Sequence, residues 1–571
     1  MKRYRWTRLE PEPTLVLALS EAINVSSPIA AALLNRGISS FEEARRFFRP
    51  SLDEIPSPFL FNDMKRAVAR LSKAIAGGEK IMVYGDYDVD GTTGTAMLSL
   101  FLRELGADVC HYINDRFTEG YGLSTSGIAW AFEQKVSLIV TVDCGIRAID
   151  EVQTCAAQGI DVIVCDHHEA GELPAACAIL DPKVEGSGYP FRELCGCGVA
   201  LKFIQAMVEA RGESPAAWRK YLDFVAVATA ADMVSLQGEN RAYLREGLEL
   251  MRRSPRVSFQ AMAANMKVNL ADFSMMNITY GIAPRINAAG RMESAGAAMQ
   301  WMLASDEPEA RLHAAELEAL NGRRREIDAE ITLRAETMVA GHCASHCSSI
   351  VLYDEAWHLG VLGIVASKLL DKYFLPTVVM GRMNGLIKGS VRSVDQLNIY
   401  DVLHECRDHL EQFGGHHQAA GLTLRPENLE AFRRRFDEVC RELLPVEERQ
   451  KSLLIDAELA LDEITPKFLK VLEQFSPFGF ANREPLFVVT GCRLAGKPKL
   501  LRERHVKFTV RGGRGSSFEV IAFDRPDLFT DLESCGTAAN LHLVCIPERN
   551  QWNGREYVQL RLKDLAVDLV D

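Results

Sequence analysis

Positive charge is in short supply in this sequence. Asp and Glu number 77 against 65 Lys and Arg in 571 residues, a formal net charge of −12. That excludes a chain coated in basic residues, the usual footprint of a non-specific nucleic-acid binder. A bulk count does not locate charge, so it leaves room for a local basic channel. No apolar run approaches the roughly 18 residues that a membrane-spanning helix needs. The opening Met1-Lys2-Arg3-Tyr4-Arg5-Trp6 is basic but runs into Glu10-Pro11-Glu12-Pro13, not an apolar signal core. The 14 cysteines are scattered and form no compact disulfide framework. Cys195-Gly196-Cys197 and Cys343/Cys347 with His342 and His346 are the close groupings. Neither has a second half at zinc-finger spacing, so both read as structural or surface residues. These absences favour a reducing cytoplasm and no membrane. Internal repeats and low-complexity segments are absent too.

What is present is ordinary globular material, 47% hydrophobic and 25% charged. At roughly 150 residues per domain the length suggests about four domains. Residues 1–56 read as a small helical segment, with Ser39-Ser40-Phe41-Glu42-Glu43-Ala44 capping a short helix. Residues 57–250 follow an α/β pattern. Strands are expected at Ile81–Tyr84, Ser137–Val142 and Asp161–Cys165, and helices at Thr92–Leu105 and Ala148–Gln158. Strands separated by helices argue for a parallel sheet. Residues 251–340 are helical, and from Glu307 to Val339 Leu320, Ile327, Ile331, Ala335 and Met338 share one face. The pair Asn321-Gly322 is a candidate break near its start. Length and charge favour a connector between two domains. Residues 341–447 form a second α/β unit with strands at Ser349–Leu352 and Thr377–Met380. Residues 448–571 change to short alternating strands, which suggests a small β-barrel of the OB type. The expected architecture is therefore α/β: two α/β domains joined by a long helix, plus a C-terminal OB-like barrel.

The chemistry gathers at strand ends. The first strand runs into Gly85-Asp86-Tyr87-Asp88-Val89-Asp90-Gly91-Thr92-Thr93. Three carboxylates at alternate positions repel one another, and a cation among them relieves that repulsion. Gly91 permits a sharp turn, and Thr92 or Thr93 is expected to cap the next helix. The second strand ends in Asp143-Cys144-Gly145 and the third in Asp166-His167-His168. Singly, Asp143 reads equally as a turn residue and His168 as a core histidine. Jointly, the strand-to-ligand offset repeats three times, at the edge where open α/β sheets place their sites. Phe224–Asp232 adds a small apolar helix or strand ending in one Asp. Carboxylates with imidazole suit Mn²⁺ or Mg²⁺ better than structural zinc. Two such ions would form a clamp for phosphoryl hydrolysis.

Asp86 to Gly91, Asp143, Asp166-His167-His168 and Asp232 resemble, in order, the four motifs of the DHH phosphoesterase superfamily. Asp115 to Leu123, Ala283 to Met292 and Trp357 to Ser367 narrow the resemblance to the RecJ single-strand-specific DNA exonucleases. Phe413-Gly414-Gly415-His416-His417-Gln418-Ala419-Ala420-Gly421 resembles the DHHA1 signature. The resemblance covers nearly the whole chain. It implies that 57–250 is a DHH catalytic domain and 341–447 a DHHA1 domain, with a catalytic cleft between them too narrow for a duplex. It implies two divalent metal ions, Mn²⁺ or Mg²⁺, held by Asp88, Asp90, Asp143, His167 and Asp232. Asp143 would be shared and Asp86 would serve as ligand or support. His168 would face the scissile phosphate, with Asp166 orienting the histidines.

By the same resemblance Arg116, Ser390 and Arg392 surround a terminal 5′-phosphate. Lys388 to Ser393 otherwise reads as a basic hairpin. Tyr121 is a candidate for base stacking or a core tyrosine beside a glycine turn. Arg285, Arg291 and His416 are candidate backbone contacts. Lys497, Lys499, Arg502, Arg504, Lys507, Arg511 and Arg514 give the barrel a local basic run. Ala481 and Arg483 depart from the family pattern near the barrel junction. The implied activity is degradation of single-stranded DNA, 5′ to 3′, to 5′-mononucleotides in repair and recombination. The implied partners are single-stranded DNA, a helicase and a single-strand-binding protein, and the expected state is a monomer. Competing readings are a DHH phosphoesterase for small substrates and a non-catalytic DNA-binding relative. The barrel, Arg116 and Arg285 argue against the first, and the filled metal-ligand positions against the second.

Overall fold

The computed structural model describes residues 3–342, 347–513, 515–537, 539–552 and 555–568. Cys343, His346 and Arg514, named above, lie outside them. The chain divides into two compact units, Met1–Ala283 with Ser452–Asp571, and Pro284–Lys451.

The first unit holds a sheet of five strands: β1 (Ile81–Gly85), β2 (Val109–Ile113), β3 (Leu138–Val142), β4 (Asp161–Cys165) and β5 (Ala178–Leu180). They run parallel in the order β2-β1-β3-β4-β5. The central β1 and β3 are buried throughout, which is why they read as continuous apolar runs. Two strands escape the sequence reading. The edge strand β2, Val-Cys-His-Tyr-Ile, is half-buried and mixes polar with apolar residues, and β5 has only three residues. The order 2-1-3-4-5 reverses beside β1, so a crevice opens at the strands' carboxyl ends between β1 and β3.

Three helices frame that crevice: α1 (Val89–Glu104), α2 (Gly196–Ala210) and α3 (Leu222–Ala231). The α1 helix begins three residues before Thr92. Asp88 caps it, its Oδ1 accepting from the amides of Asp90 (2.8 Å) and Gly91 (3.1 Å). Thr92 and Thr93 lie buried inside the helix and cap nothing. Of the two readings of residues 224–232, the helix is correct.

In the second unit, α4 (Glu307–His342) is one unbroken helix. Asn321-Gly322 does not interrupt it; the Asn321 Oδ1 accepts from Arg324 Nη2, one turn on, at 2.9 Å. Leu320, Ile331 and Ala335 are buried as the periodicity predicts, and Ile327 and Met338 pack at the edge of a core with Trp357 and Val365. Five strands follow: β6 (Ile350–Tyr353), β7 (Thr377–Met383), β8 (Leu386–Arg392), β9 (Gln412–Gly415) and β10 (Ala419–Leu424), in the order β9-β10-β8-β7-β6. The helix α5 (Leu362–Tyr373) crosses between the parallel β6 and β7, and the other pairings are antiparallel. Gly389, Gly414, Gly415 and Gly421 dilute the strand signal of β8, β9 and β10.

The barrel returns to the first unit. Its main strands are β11 (Phe487–Leu494), β12 (Lys499–Leu501), β13 (His505–Arg511), β14 (Ser517–Ala522), β15 (Asn540–Trp552) and β16 (Arg555–Asp568), with the short Ala457–Glu458 strand pairing beside β11. Pairing runs β11-β15-β16-β14-β13, and β13 returns to β11 and closes the ring. The N-terminal helical segment is not separate from this barrel. Leu19, Ile29, Leu33 and Phe47 share one core with Phe475, Val489 and Leu541. Buried Arg36 donates to Asp456 at 3.1 Å, and Arg483 reaches the same carboxylate at 2.8 Å. The departure at Arg483 thus has a partner, and Ala481 beside it takes a left-handed φ of 56°. The helix Phe41–Phe48 starts with the expected capping box, Ser40 with Glu43. Among the described residues no single helix is long and apolar enough to cross a membrane.

Candidate metal centre and substrate-binding residues

Every strand of the parallel sheet hands over to a carboxylate or its amide. Asp86 follows β1, Asn114 follows β2, Asp143 follows β3, Asp166 follows β4 and Asp181 follows β5. The shared offset brings these side chains to one edge, where α1 adds Asp88 and Asp90 and the end of α3 adds Asp232. Ligand atoms of Asp86, Asp88 and Asp143 lie within 4.8 Å of one another; so do those of Asp90, His167 and Asp232, and those of Asp143, His167 and His168. Asp143 belongs to two of these sets. Its Oδ1 is 3.0 Å from His167 Nε2, which also lies 3.7 Å from both Asp90 and Asp232.

The backbone around these carboxylates is built for close approach. Asp143 takes a left-handed φ of 62°, a conformation that Asp tolerates better than most residues. Gly91 packs on Asp86: a Cβ there would lie 2.5 Å from its carbonyl oxygen and 2.6 Å from its nitrogen. Gly196 packs on Asp143: a Cβ would lie 2.6 Å from the aspartate Cβ. The Cys195-Gly196-Cys197 segment opens α2, and its amides grip Asp90, Gly196 N at 2.6 Å and Cys197 N at 2.8 Å. A helix N-terminus carries partial positive charge, so it favours this carboxylate. Asp232 has the opposite setting. It ends α3, where the dipole repels an acid, and its Oδ2 is buried with no hydrogen-bond partner.

Burial and mutual repulsion raise Asp86, Asp90, Asp143 and Asp232. Burial, with Asp88 next to it, pushes Asp86 up to about 7. Burial, with Asp232 and Asp88, pushes Asp90 up to about 8. Asp143 is raised well above the carboxylate range by burial and by Asp90, and Asp232 is raised mainly by burial. Asp166 departs from the trend. Burial raises it, but the hydrogen bond and charge of His168 and the Ile146 amide outweigh that and lower it. Its Oδ1 lies 2.7 Å from His168 Nδ1 and accepts from His167 N at 2.7 Å, and its Oδ2 accepts from Ile146 N at 2.9 Å. His167 is lowered by burial. His168 is raised, the Asp166 hydrogen bond overcoming burial.

The residues present fit divalent cations. Buried oxygens of Asp86 and Asp232 and the Nδ1 of His167 lack hydrogen-bond partners, a costly state for polar atoms in a protein interior. Oxygen-rich donors with one imidazole suit Mg²⁺ or Mn²⁺, and two positive ions would relieve the repulsion that lifts the aspartates.

Arg116 stacks its guanidinium on Tyr87, 4.2 Å from the ring centroid, and its Nε is buried without a partner. Tyr121 is 51% exposed, while its hydroxyl donates to the Asp143 carbonyl at 2.8 Å and lies 2.9 Å from His168 Nδ1. In the second unit, Ser390 and Arg392 stand on one face of β8 against the first turn of α5. A Cβ on Gly363 would lie 2.8 Å from Arg392 Nη2 and 3.5 Å from Ser390 Oγ. Burial lowers the Arg392 pKa. Arg285 is buried against Glu318 at 2.5 Å, Arg291 donates to the Gly360 carbonyl at 3.1 Å, and His416 is exposed beside β9. The basic run on the barrel is largely exposed, with Lys507 paired to Glu519 and Arg504 to Asp524.

Sequence reasoning missed three features of this sheet edge. One is the pair of α2 amides on Asp90, since Cys195-Gly196-Cys197 reads in sequence as structural or surface residues. The second is the Tyr121 hydroxyl. The third is Asp181, whose Oδ2 is buried without a partner and which burial pushes up to about 7. Its signal was available: Ala178-Ile179-Leu180-Asp181 repeats the strand-then-Asp offset.

Known proteins share these domains. Residues 80–229 match the DHH family, N-terminal domain; residues 347–442 match the DHHA1 domain; residues 455–564 match the RecJ OB domain. The single-stranded-DNA-specific exonuclease RecJ of Bacillus subtilis (strain 168) is 36% identical over 99% of this chain and 71% of its own length. RecJ from Thermus thermophilus has been solved in complex with Mn²⁺; that structure has a TM-score of 0.85 at 29% identity, over 100% of this chain and 80% of the other. Its complex with Mg²⁺ has a TM-score of 0.77 at 28% identity, over 99% and 78%. A curated relative above 30% identity, aligned over most of both sequences, places the chain in the RecJ family of single-stranded-DNA-specific exonucleases.

Proposed function

We propose that this chain hydrolyses single-stranded DNA from its 5′ end, releasing 5′-mononucleotides, with two divalent ions, Mn²⁺ or Mg²⁺. The observation that carries the reading is the convergence of two acidic sets, Asp86/Asp88/Asp143 and Asp90/His167/Asp232, on one sheet edge beside His168. Those residues would hold the ions, with Asp143 touching both sets. When bound, such ions supply Lewis acidity, which lowers the pKa of water and offsets charge on the phosphoryl oxygens.

The chain's own groups do the rest. Asp166 holds His168 through Nδ1 and fixes the imidazole plane, so the histidine meets the scissile phosphate in one orientation. The α2 amides hold Asp90, and Gly91 and Gly196 let the backbone close around Asp86 and Asp143. Arg116 and, on the other unit, Ser390 with Arg392 are the proposed phosphate-binding groups. The unpartnered Nε of Arg116 supports this, because a buried guanidinium nitrogen without a partner is ready for an anion. Arg291 and His416 are proposed backbone contacts; Arg285 would have to leave Glu318 to join them. The exposed face of Tyr121 suits a stacked base. The barrel adds Lys497, Lys499 and Arg502 beside exposed Leu500 and Phe523, a basic and apolar surface fitted to single strands. Action in repair and recombination in the cytoplasm, as a monomer working with a helicase and a single-strand-binding protein, completes the proposal.

The test uses the full chain with Mn²⁺ and end-labelled single-stranded DNA, duplex DNA and a dinucleotide. Mononucleotides released from the 5′ end of the single strand are expected. Prompt cleavage of the dinucleotide with none of the long single strand would overturn the reading, as would no cleavage at all.

A further inference from the structure

The loop between β2 and the helix Thr125–Glu133 carries two substrate candidates, Arg116 and Tyr121, and is anchored from below. Asn114 donates to the Gly120 carbonyl, the Tyr84 hydroxyl to the Gly122 carbonyl at 3.2 Å, and the Tyr112 hydroxyl to Glu119 at 3.0 Å. A loop so fixed can hold a side chain in place. Tyr121 points its hydroxyl inward while its ring edge meets the His168 ring, centroids 5.3 Å apart.

The hydrogen-bond inventory then constrains the histidine. A phenol has one hydrogen, and Tyr121 donates it to the Asp143 carbonyl at 2.8 Å. Only lone pairs remain to face the His168 ring, whose Nδ1 is 2.9 Å away and whose Nε2 is 3.5 Å away. The second neighbour of Nδ1, Asp166 Oδ1 at 2.7 Å, is also an acceptor. Two acceptors around one ring nitrogen require that nitrogen to carry the hydrogen. We infer that Tyr121 is a positioning residue for His168: with Asp166 it holds the imidazole as the Nδ1–H tautomer and leaves Nε2 for the scissile phosphate. The same hydroxyl braces the carbonyl of Asp143, whose backbone is left-handed. One side chain thus joins the loop that meets the DNA to the histidine that meets the bond. The inference rests on the function proposed above, in which His168 faces the phosphate.

Two variants test it. Tyr121→Phe keeps the ring and deletes the hydroxyl, and Tyr121→Leu removes both. Kinetics on 5′-phosphorylated single-stranded DNA are read beside Mn²⁺ affinity by electron paramagnetic resonance. Tyr121→Phe is expected to lower kcat roughly five- to tenfold, the scale of one lost hydrogen bond, with KM and Mn²⁺ affinity held within about twofold. Tyr121→Leu is expected to show the same fall in kcat and a raised KM, because the exposed ring face is gone. A Tyr121→Phe enzyme with parental kcat overturns the inference. So does a fall in Mn²⁺ affinity matching the fall in kcat, which would place the hydroxyl's effect on the Asp143 metal set and not on His168. A parent enzyme that leaves single strands uncut overturns the underlying function instead, and is recognised before any variant is made.

Discussion

Asp143 concentrates the site's tension in one residue. Its backbone is left-handed, its carboxylate is buried, and four other aspartates raise its pKa. A metal-free chain pays for that arrangement in stability. Asp143→Asn keeps the shape, suits the left-handed backbone and removes a repelling charge. The variant is expected to lose activity on the order of 10³-fold or more. It should also unfold at a higher temperature than the metal-free parent and lose the stabilisation that Mn²⁺ confers. Thermal unfolding with and without Mn²⁺ checks both statements. The raised acids give a pH dependence as well. Asp86 and Asp90 move from an ordinary 3.8 up to about 7 and about 8. Between those values the folded chain binds more protons than the unfolded chain, so metal-free stability falls as pH rises through the window. Cations displace these protons, so Mn²⁺ affinity should climb with pH and level off above about 8. Calorimetric titrations in buffers of different ionisation enthalpy would show proton release near pH 6; an affinity independent of pH contradicts the account.

At the scale of elements, the strand-then-carboxylate offset made much of the site legible. Asp86, Asp143 and Asp166 each follow a buried apolar strand that needs no context to recognise. Asp181 follows the same rule after a strand of only three residues, too short to carry a pattern. Asp88 was legible as an acid but not as the α1 cap, because a capping residue and a metal ligand look alike in sequence. The role of Gly196 was not legible at all, since it depends on the start of α2 meeting α1 and β3 in space. Two glycines separate these situations. Gly196→Ala would push a methyl into Asp143 and disturb the amides on Asp90, and is expected to cost roughly 1–3 kcal/mol of stability and 10–100-fold in Mn²⁺ affinity. Gly322→Ala, in the interior of α4 with nothing within 4 Å, is expected to stabilise by about 0.5–1 kcal/mol. Denaturant unfolding and Mn²⁺ titration distinguish the two, and equal effects would contradict the close-packing argument.

For the whole molecule, the acidic balance of −12 no longer argues against DNA. Six of the acids, Asp86, Asp88, Asp90, Asp143, Asp166 and Asp232, crowd one sheet edge, and basic residues gather elsewhere on the barrel. Long-range pairing was the part hidden from sequence. The N-terminal helices looked like a preface, yet they complete the barrel's core and meet it again through Arg36, Asp456 and Arg483. Removing the barrel alone is therefore expected to expose Leu19, Ile29, Leu33 and Phe47 and to yield an aggregating chain. Removing both segments together should be better tolerated, as dye binding and solubility would show. The most direct test of the central claim is anomalous diffraction from crystals of the full chain soaked in Mn²⁺. Two peaks are predicted, one against Asp86, Asp88 and Asp143 and one against Asp90, His167 and Asp232. A single peak, or manganese bound away from these residues, would contradict it.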